Sequence, residues 1–206
     1  MANVVLDLDE TVISGVDPED VEGLLSGDIE ELEKYVAEGG FVGHTMGSEY
    51  VIVERPGLQD FLDYLFAHFR VSVFTAASPH YGAFIVDNII LQGKPERVSR
   101  FAYFLARPHF KKSKELYGVP KDLRLLWEHY GVKGMTPENT VLLDDLEDAR
   151  SGKNRCNVIA VKKFSMLSGS RERYLEETVR PKLERYLEHW SGGSGGMCLL
   201  DDMGDV

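Results

Sequence analysis

The chain has 206 residues, of which 34 are acidic and 23 are basic, and its formal net charge is −11. This length allows one domain with a substantial core, and a hydrophobic content of 43% excludes a chain that is disordered throughout. The negative charge argues against direct binding to nucleic acid or anionic lipid, and no segment is apolar enough to predict a membrane span. We expect an intracellular protein, nuclear or cytoplasmic, with residues 1–190 in a single domain.

Short apolar runs predict four strands of a buried parallel sheet. They are rich in β-branched residues and cover Val4–Leu6, Val71–Phe74, Val141–Leu143 and Asn157–Val161. Runs of this length and composition are typical of strands that are buried on both faces. Amphipathic helices are predicted over Leu58–Phe69, Tyr81–Leu91 and Leu123–Tyr130. Strands that alternate with helices predict an α/β fold with a Rossmann-like parallel sheet flanked by helices.

Residues 14–54 interrupt this alternation after the first strand. An acidic helical stretch is predicted over Pro18–Glu38, followed by a hairpin over Phe41–Glu54 that turns near Met46–Ser48. An insertion at this point lies above the carboxyl end of the first strand, so we expect a small lid built from a helix and a hairpin.

The C-terminal part divides into a helix and a tail. Residues Arg171–Trp190 are predicted to be helical, and an apolar stripe along this helix is expected to pack on the core. The stripe consists of Leu175, Val179, Leu183 and Leu187. Residues 191–206 form a Gly/Ser linker and an acidic tail, which we expect to be flexible.

Polar side chains follow three of the predicted strands where each strand ends. They are Asp7 and Asp9, Thr75, and the pair Asp144 and Asp145. Because the carboxyl ends of parallel strands form one rim, where ligands bind in such folds, we expect these groups to converge. Carboxylates this close require a hard cation, most simply Mg²⁺. Such a rim could use one carboxylate as a nucleophile towards phosphorus and a second as a general acid and base.

The motifs around these residues resemble a known family. Asp7-Leu8-Asp9-Glu10-Thr11 resembles the DxDxT signature of haloacid-dehalogenase-type phosphatases. Its form is that of the FCP/SCP group, the phosphatases of the RNA polymerase II C-terminal domain (CTD), which are similar to NLI-interacting factor. Further blocks resemble that group in the same order, at Glu54–Gly57, Phe74–Ser78, Tyr117–Leu123 and Val141–Asp145. The resemblance extends over Val4–Val161.

The resemblance implies a role for each matching residue. Asp7 would be the nucleophile, Asp9 the general acid and base, and Thr75 and Lys121 would bind the phosphoryl group. The Mg²⁺ ligands would be Asp7, the backbone carbonyl of Asp9, and Asp144 or Asp145. In the family the second residue of that last pair often binds the metal, while the first positions the lysine or a water. The sequence does not separate the two.

Several residues also allow a structural interpretation. Arg55 and Tyr81 are candidates for a groove that binds a proline-containing peptide, but Arg55 could form a structural ion pair and Tyr81 could belong to the core. Lys121 has exposed competitors nearby in Lys111, Lys112 and Lys114, where a run of lysines is typical of a solvated face.

Three functions remain open from the sequence. The first is a Mg²⁺-dependent phosphoprotein phosphatase, acting on phosphoserine or phosphothreonine in a peptide resembling the RNA polymerase II CTD. The second is a dehalogenase-type phosphatase for a small phosphorylated metabolite. The third is a non-catalytic scaffold, which should lack a motif residue, and none is evidently missing here. Compact forms of this family also occur in large DNA viruses, so a viral origin is an expectation.

Overall fold

The computed structural model describes residues 1–21, 28–150 and 156–191. The linker and tail expected over 191–206 therefore lie outside the described residues except for Ser191, which ends a helix. The strands are β1 (Asn3–Leu6), β2 (Ile13–Val16), β3 (Gly43–Met46), β4 (Tyr50–Glu54), β5 (Arg70–Phe74), β6 (Phe101–Leu105), β7 (Thr140–Asp144) and β8 (Val158–Ala160). The α-helices are α1 (Ile29–Glu38), α2 (Leu58–His68), α3 (Pro79–Ile85), α4 (Pro95–Arg100), α5 (Arg107–Tyr117) and α6 (Arg180–Ser191).

Within the described residues, five strands form a parallel sheet in the order β6-β5-β1-β7-β8. β1 is central and buried on both faces: Val4 and Leu6 belong to the larger apolar cluster and Val5 to a second cluster. Helix α2 and the C-terminal helical segment pack in the larger cluster, while Leu125 and Leu126 lie in the second. The predicted α/β class is confirmed.

The insertion after β1 forms a small sheet of its own. Strands β2, β4 and β3 are antiparallel in that order, and β3 and β4 form the predicted hairpin. The predicted acidic helix is divided into a 3-10 turn at Pro18–Val21 and helix α1, with residues 22–27 outside the described part. Val36 of α1 and Val53 of β4 lie in a separate apolar cluster, which gives the insertion its own small core.

Three predicted helices contain wider π-helical turns. Such turns occupy Val86–Leu91 after α3, Leu125–His129, and Leu175–Val179 before α6. The predicted stripe of the C-terminal helix is confirmed, since Leu175, Val179 and Leu183 are fully buried and Leu187 packs against them. No helix among the described residues has the length and apolarity to span a membrane.

Candidate active site

The turn after β1 places Asp7 and Asp9 at the carboxyl edge of the parallel sheet. The N–H of Asp7 donates to the carbonyl of Leu143 at 3.0 Å, which extends the pairing of β1 and β7 by one residue. The carbonyl of Leu8 then accepts from the N–H groups of residues 11–13. Glu10 takes a left-handed conformation with φ of 59°, which an L-residue rarely adopts. The tight turn keeps Asp7 buried and leaves Asp9 at the mouth of a groove.

Lys121 lies between two of the strand-end carboxylates. Its Nζ is 2.7 Å from Asp7 Oδ1 and 2.8 Å from Asp144 Oδ2, and the residue is only 1% exposed. A buried ammonium group is tolerated when carboxylates surround it closely. The structure therefore brings Lys121, rather than the neighbouring lysines of α5, to the predicted rim.

The loop after α5 delivers Lys121 to this position. The Ser113 hydroxyl donates to the carbonyl of Val119 at 3.1 Å and accepts from the N–H of Asp122 at 2.8 Å. Between these two anchors Lys121 has φ of 50°, again in the left-handed region. Such backbone strain persists only where surrounding contacts hold it, and it occurs often at functional sites.

Asp144 and Asp145 have different surroundings. Asp144 accepts hydrogen bonds on both oxygens, from Lys121 and from the N–H of Leu146 at 2.8 Å. Asp145 Oδ1 accepts from the Thr11 hydroxyl at 3.1 Å. Asp145 Oδ2 is buried without a hydrogen-bond partner among the described residues, and Lys163 Nζ lies 3.6 Å away. Ligand atoms of Asp7, Asp144 and Asp145 all lie within 4.8 Å of one another, as a metal site requires.

Asp9 is held by a tyrosine from α3. The Tyr81 hydroxyl donates to Asp9 Oδ1 at 2.8 Å. Tyr50 of β4 packs edge-on against Tyr81, with 5.9 Å between the ring centroids. Gly15 of β2 faces the same hydroxyl, and a Cβ there would lie 2.7 Å from it. Two strands of the insertion therefore surround the tyrosine that orients Asp9.

Thr75 is the first residue after β5, the strand next to β1. Its N–H donates to the carbonyl of Leu105 at 2.9 Å, and its hydroxyl accepts from the N–H of Ala77 at 3.0 Å. The residue is fully buried. Ser78 then caps α3 by accepting from the N–H of Tyr81, which is why a helix starts immediately beyond this strand end.

Burial dominates the proton affinities of the site. It raises the pKa of Asp7 to about 8, even though the Lys121 ammonium acts in the opposite direction. Burial also raises the pKa of Asp144 and of Asp9, in the latter case against the hydrogen bond from Tyr81. The two adjacent carboxylates raise the pKa of Lys121 despite its burial. The site thus favours a charged lysine and carboxyl groups that bind protons tightly in the absence of a cation.

A groove of about 740 Å³ opens beside Asp9. The insertion forms one wall, where Asp17, Asp20 and Glu49 are acidic and Tyr50 is aromatic. The opposite wall comes from the segment after β5 and from the start of α5, and includes His80, Tyr81 and Arg107. The predicted lid therefore forms a side of an open groove.

Arg55 is placed differently from Tyr81. It is 4% exposed, its Nη1 donates to the carbonyl of Thr11 at 2.8 Å, and its guanidinium stacks on Tyr174 at 4.6 Å from the ring centroid. The described residues that line the groove include Tyr81 but not Arg55. Arg55 therefore supports the turn that carries Asp7 and Asp9, and it does so from outside the groove.

Two contributors to this site were not assigned from the sequence. Thr11 was part of the recognised motif, but only the fold shows its hydroxyl near Asp145 and 3.5 Å from Asp7 Oδ2. Lys163 is exposed and pairs with Glu10 at 2.6 Å. No local pattern distinguishes it from an ordinary surface lysine.

The parallel sheet thus brings the paired aspartates after its central strand next to a buried lysine. Residues 2–193 match the sequence profile of the NLI interacting factor-like phosphatases. The chain belongs to this family, so the expected FCP/SCP relationship is confirmed.

Individual relatives agree with this assignment. The chain is 35% identical over 192 residues to the CTD phosphatase-like protein 355R of Invertebrate iridescent virus 6, covering 91% of this chain and 100% of that protein. It is 36% identical over 164 residues to the protein of the same name from Invertebrate iridescent virus 3, covering 78% and 83% respectively. Both relatives are viral proteins.

Solved structures support the fold. A structure of Fcp1, described as an essential RNA polymerase II CTD phosphatase, superposes with a TM-score of 0.56 at 22% identity. Fission yeast Fcp1 bound to beryllium fluoride gives a TM-score of 0.55 at 20% identity. Each match covers 93% of this chain, which spans about half the length of those proteins, 50% and 52% respectively. At this identity the likeness shows the fold.

Proposed function

We propose that this protein is a Mg²⁺-dependent phosphoprotein phosphatase that hydrolyses phosphoserine or phosphothreonine in a CTD-like peptide through an aspartyl-phosphate on Asp7. The observation that carries the proposal is the buried Asp7–Lys121 contact of 2.7 Å at the sheet edge, next to the groove that Asp9 lines. A nucleophile, a cation and an acid–base group together meet the needs of phosphoryl transfer. The two viral CTD phosphatase-like relatives support the same reaction and a viral origin.

The carboxylates fit a magnesium ion. Their donors are hard oxygens close together, and the buried Asp145 Oδ2 has no hydrogen-bond partner among the described residues. Asp7, the backbone carbonyl of Asp9, and Asp145 would hold the ion, while Asp144 holds Lys121. When bound, Mg²⁺ neutralises the negative charge that phosphoryl and carboxylate oxygens would otherwise bring together.

In the first step, a carboxylate oxygen of Asp7 attacks phosphorus and the bond from phosphorus to the serine oxygen breaks. Asp9 gives its proton to that leaving oxygen. In the second step, the Asp9 carboxylate takes a proton from water, and the water oxygen attacks phosphorus. Inorganic phosphate leaves, Asp7 is a free carboxylate again, and Asp9 is protonated for the next cycle.

The remaining groups fit this chemistry. Burial raises the pKa of Asp9, which favours the protonated form that the first step consumes. Tyr81 holds the carboxyl at the mouth of the groove. Lys121 presents its charge to the phosphoryl oxygens, and the Thr75 hydroxyl, which accepts from Ala77, has its own proton to donate.

The open groove favours a polypeptide over a small metabolite. Its volume of about 740 Å³ exceeds the needs of a phosphoryl group, and the insertion forms one side of it. Asp17, Asp20 and Glu49 on that wall would repel a compact, highly charged phosphorylated metabolite. Tyr50 and Tyr81 offer apolar rings to a peptide side chain such as proline.

The experiment measures phosphate release from a phosphoserine CTD-repeat peptide and from a panel of phosphorylated metabolites, each with Mg²⁺ and with EDTA. We expect hydrolysis of the peptide only, lost in EDTA and lowered more than about a thousandfold by Asp7→Asn. Asp87→Asn is the matched control, because Asp87 is exposed on the turn after α3 and should keep full activity.

Turnover of metabolites without turnover of the peptide would replace the proposed substrate class. Activity that persists in EDTA would contradict the role of Mg²⁺. If the folded protein with Mg²⁺ hydrolyses none of the phosphorylated compounds, the catalytic proposal is contradicted and the non-catalytic scaffold is favoured.

A further inference from the structure

A second concavity of about 390 Å³ lies between the insertion, the start of α2 and the segment that precedes the C-terminal helical segment. Its lining shares no residue with the groove at Asp9. We call it the arginine pocket and define it by the residues that face it from these three elements: Gly40, Arg55, Gly57, Arg171 and Arg173.

Arg171 lies over the ring of Phe41, with its guanidinium carbon 3.5 Å from the ring centroid. Within the part of the chain that the structure describes, no carboxylate forms an ion pair with it. Stacking leaves the edge of a guanidinium group, with its N–H donors, free to bind an anion. Arg173 donates to Asp60 of α2 and lies beside it at the rim of the same pocket.

Arg55 is the buried charge of the pocket. It is 4% exposed, and no carboxylate of the described ranges lies within ion-pair distance of it. Its hydrogen bond goes to an uncharged acceptor, the carbonyl of Thr11. Burial lowers the pKa of Arg55 to about 10, although Tyr174, Glu172 and Asp145 act in the opposite direction, so these neighbours only partly compensate its charge.

Two glycines leave room beside the arginines. Gly57 has φ of 79°, and a Cβ there would lie 3.2 Å from Arg173 Nε. Gly40 has φ of 72°, and a Cβ there would lie 3.7 Å from Arg171 Nη1. Gly57 is also the N-cap of α2 and supplies no side-chain cap, so the positive end of the helix dipole faces this region.

The charges of the pocket favour an anion. Its three guanidinium groups face two carboxylates, Asp60 and Glu54. Glu54 is already engaged, since it lies 2.7 Å from His44 Nε2 and accepts from Gln59 at 3.0 Å. This local excess of positive charge occurs in a chain whose net charge is −11.

We propose that the arginine pocket is a second anion site, separate from the catalytic groove, that binds a phosphate dianion. Planar guanidinium groups match phosphate oxygens in paired hydrogen bonds, which a halide cannot form. The phosphate has two sources with the same chemistry: free inorganic phosphate, and a phosphorylated side chain of a peptide.

The test follows the Nε–H signals of the arginines in ¹⁵N-arginine-labelled full chain by NMR. Inorganic phosphate is titrated to millimolar concentration in EDTA, against sodium chloride at equal ionic strength. We expect the signals of Arg171 and Arg173 to shift and saturate with phosphate only. Arg180 is the internal control, because it is ion-paired like Arg173 and stacked on an aromatic ring like Arg171, at 4.5 Å from the Tyr64 centroid, yet lies outside the pocket.

The variant Arg171→Gln should weaken phosphate binding about tenfold, read from the Arg173 signal, whereas Arg180→Gln should leave it unchanged. Equal shifts at Arg171, Arg173 and Arg180, or the same response to chloride, would overturn the proposal. The wild-type titration decides this even if a variant folds poorly.

A second titration with a phosphoserine peptide identifies the source. Shifts at the same two arginines would mean that the pocket accepts phosphorylated side chains, and shifts with inorganic phosphate alone would mean that it binds the free anion. Because the measurement needs neither magnesium nor turnover, its result is independent of the catalytic proposal.

Discussion

Asp144 and Asp145 show how two adjacent residues of one type acquire different roles. Asp144 uses both oxygens, one for Lys121 and one for the N–H of Leu146. Asp145 keeps a buried oxygen without a hydrogen-bond partner among the described residues. A carboxylate oxygen in this condition is a candidate metal ligand, whereas we propose that Asp144 positions the lysine.

We expect Asp145→Asn to raise the Mg²⁺ concentration needed for half-maximal activity at least about tenfold, with kcat largely recovered at saturating Mg²⁺. Asp144→Asn should lower kcat at every Mg²⁺ concentration, because Lys121 loses one of its two anchors. A Mg²⁺ titration of phosphate release measures both effects. Glu147→Gln is the control, because it removes the charge of an exposed carboxylate on the following turn, and it should change neither value. If high Mg²⁺ instead restores kcat in Asp144→Asn but not in Asp145→Asn, Asp144 is the metal ligand and Asp145 the positioning residue.

The sequence predicts which residues lie at the rim, but not which partner each of their side chains binds. Strand ends are local features, so the positions of Asp7, Thr75 and Asp144 follow from the apolar runs that precede them. The partners of these side chains lie far along the chain: Lys121 is 23 residues from Asp144, and Thr11 is 134 from Asp145. Only the assembled fold separates the two aspartates.

At the scale of elements, β2 of the insertion is linked through Tyr81 to Asp9, the proposed acid–base group. A methyl group on Gly15 would lie 2.7 Å from the Tyr81 hydroxyl, but 3.8 Å from the ring carbon that bears it. The hydroxyl alone is therefore crowded. Because that hydroxyl donates to Asp9 at 2.8 Å, displacing it should disturb proton transfer more than substrate binding.

We expect Tyr81→Phe and Gly15→Ala each to lower kcat about tenfold with little change in KM, since both remove the support of Asp9. If Gly15 acts through the hydroxyl, the double variant should be no worse than either single variant. Steady-state kinetics of the wild type, the two single variants and the double variant give this double-mutant cycle. Tyr50→Phe is the control, because its ring contacts Tyr81 but no hydrogen bond of its hydroxyl occurs among the described residues. Fully additive losses would show that Gly15 acts elsewhere.

The elements that sequence patterns did not predict have weak local signals. Among the described residues β6 pairs only with β5, with a register irregularity between Val71 and Val73 of β5, and four of its five residues are only partly buried. β2 has four residues with Gly15 among them, and its strand character comes from pairing with β4. Helix α5 carries many charges and has a single fully buried residue, Ser113. Tertiary pairing decides such segments more than their own composition does.

At the scale of the whole molecule, the candidate site lowers the free energy of unfolding at pH values at which its carboxyl groups are charged. The pKa of Asp7 is raised from its ordinary value of 3.8 to about 8 in the metal-free fold. Between these values the folded chain binds more protons than the unfolded chain, so the contribution of Asp7 to the free energy of unfolding falls as pH rises. Binding of Mg²⁺ to the folded state should offset this loss, most strongly where the carboxylates are ionised.

We therefore expect the Tm in EDTA to fall more steeply between about pH 5 and about pH 8 for wild type than for Asp7→Asn, and Mg²⁺ to raise the wild-type Tm more at the higher pH. Thermal unfolding at both pH values, with EDTA and with Mg²⁺, measures this. Comparison with Asp7→Asn cancels the titration of groups that both proteins share, while the raised pKa values of Asp9 and Asp144 leave part of the slope in the variant. Equal slopes for the two proteins in EDTA would show that the buried carboxyl of Asp7 does not control stability in this range, because its charge would then be compensated by Lys121 alone.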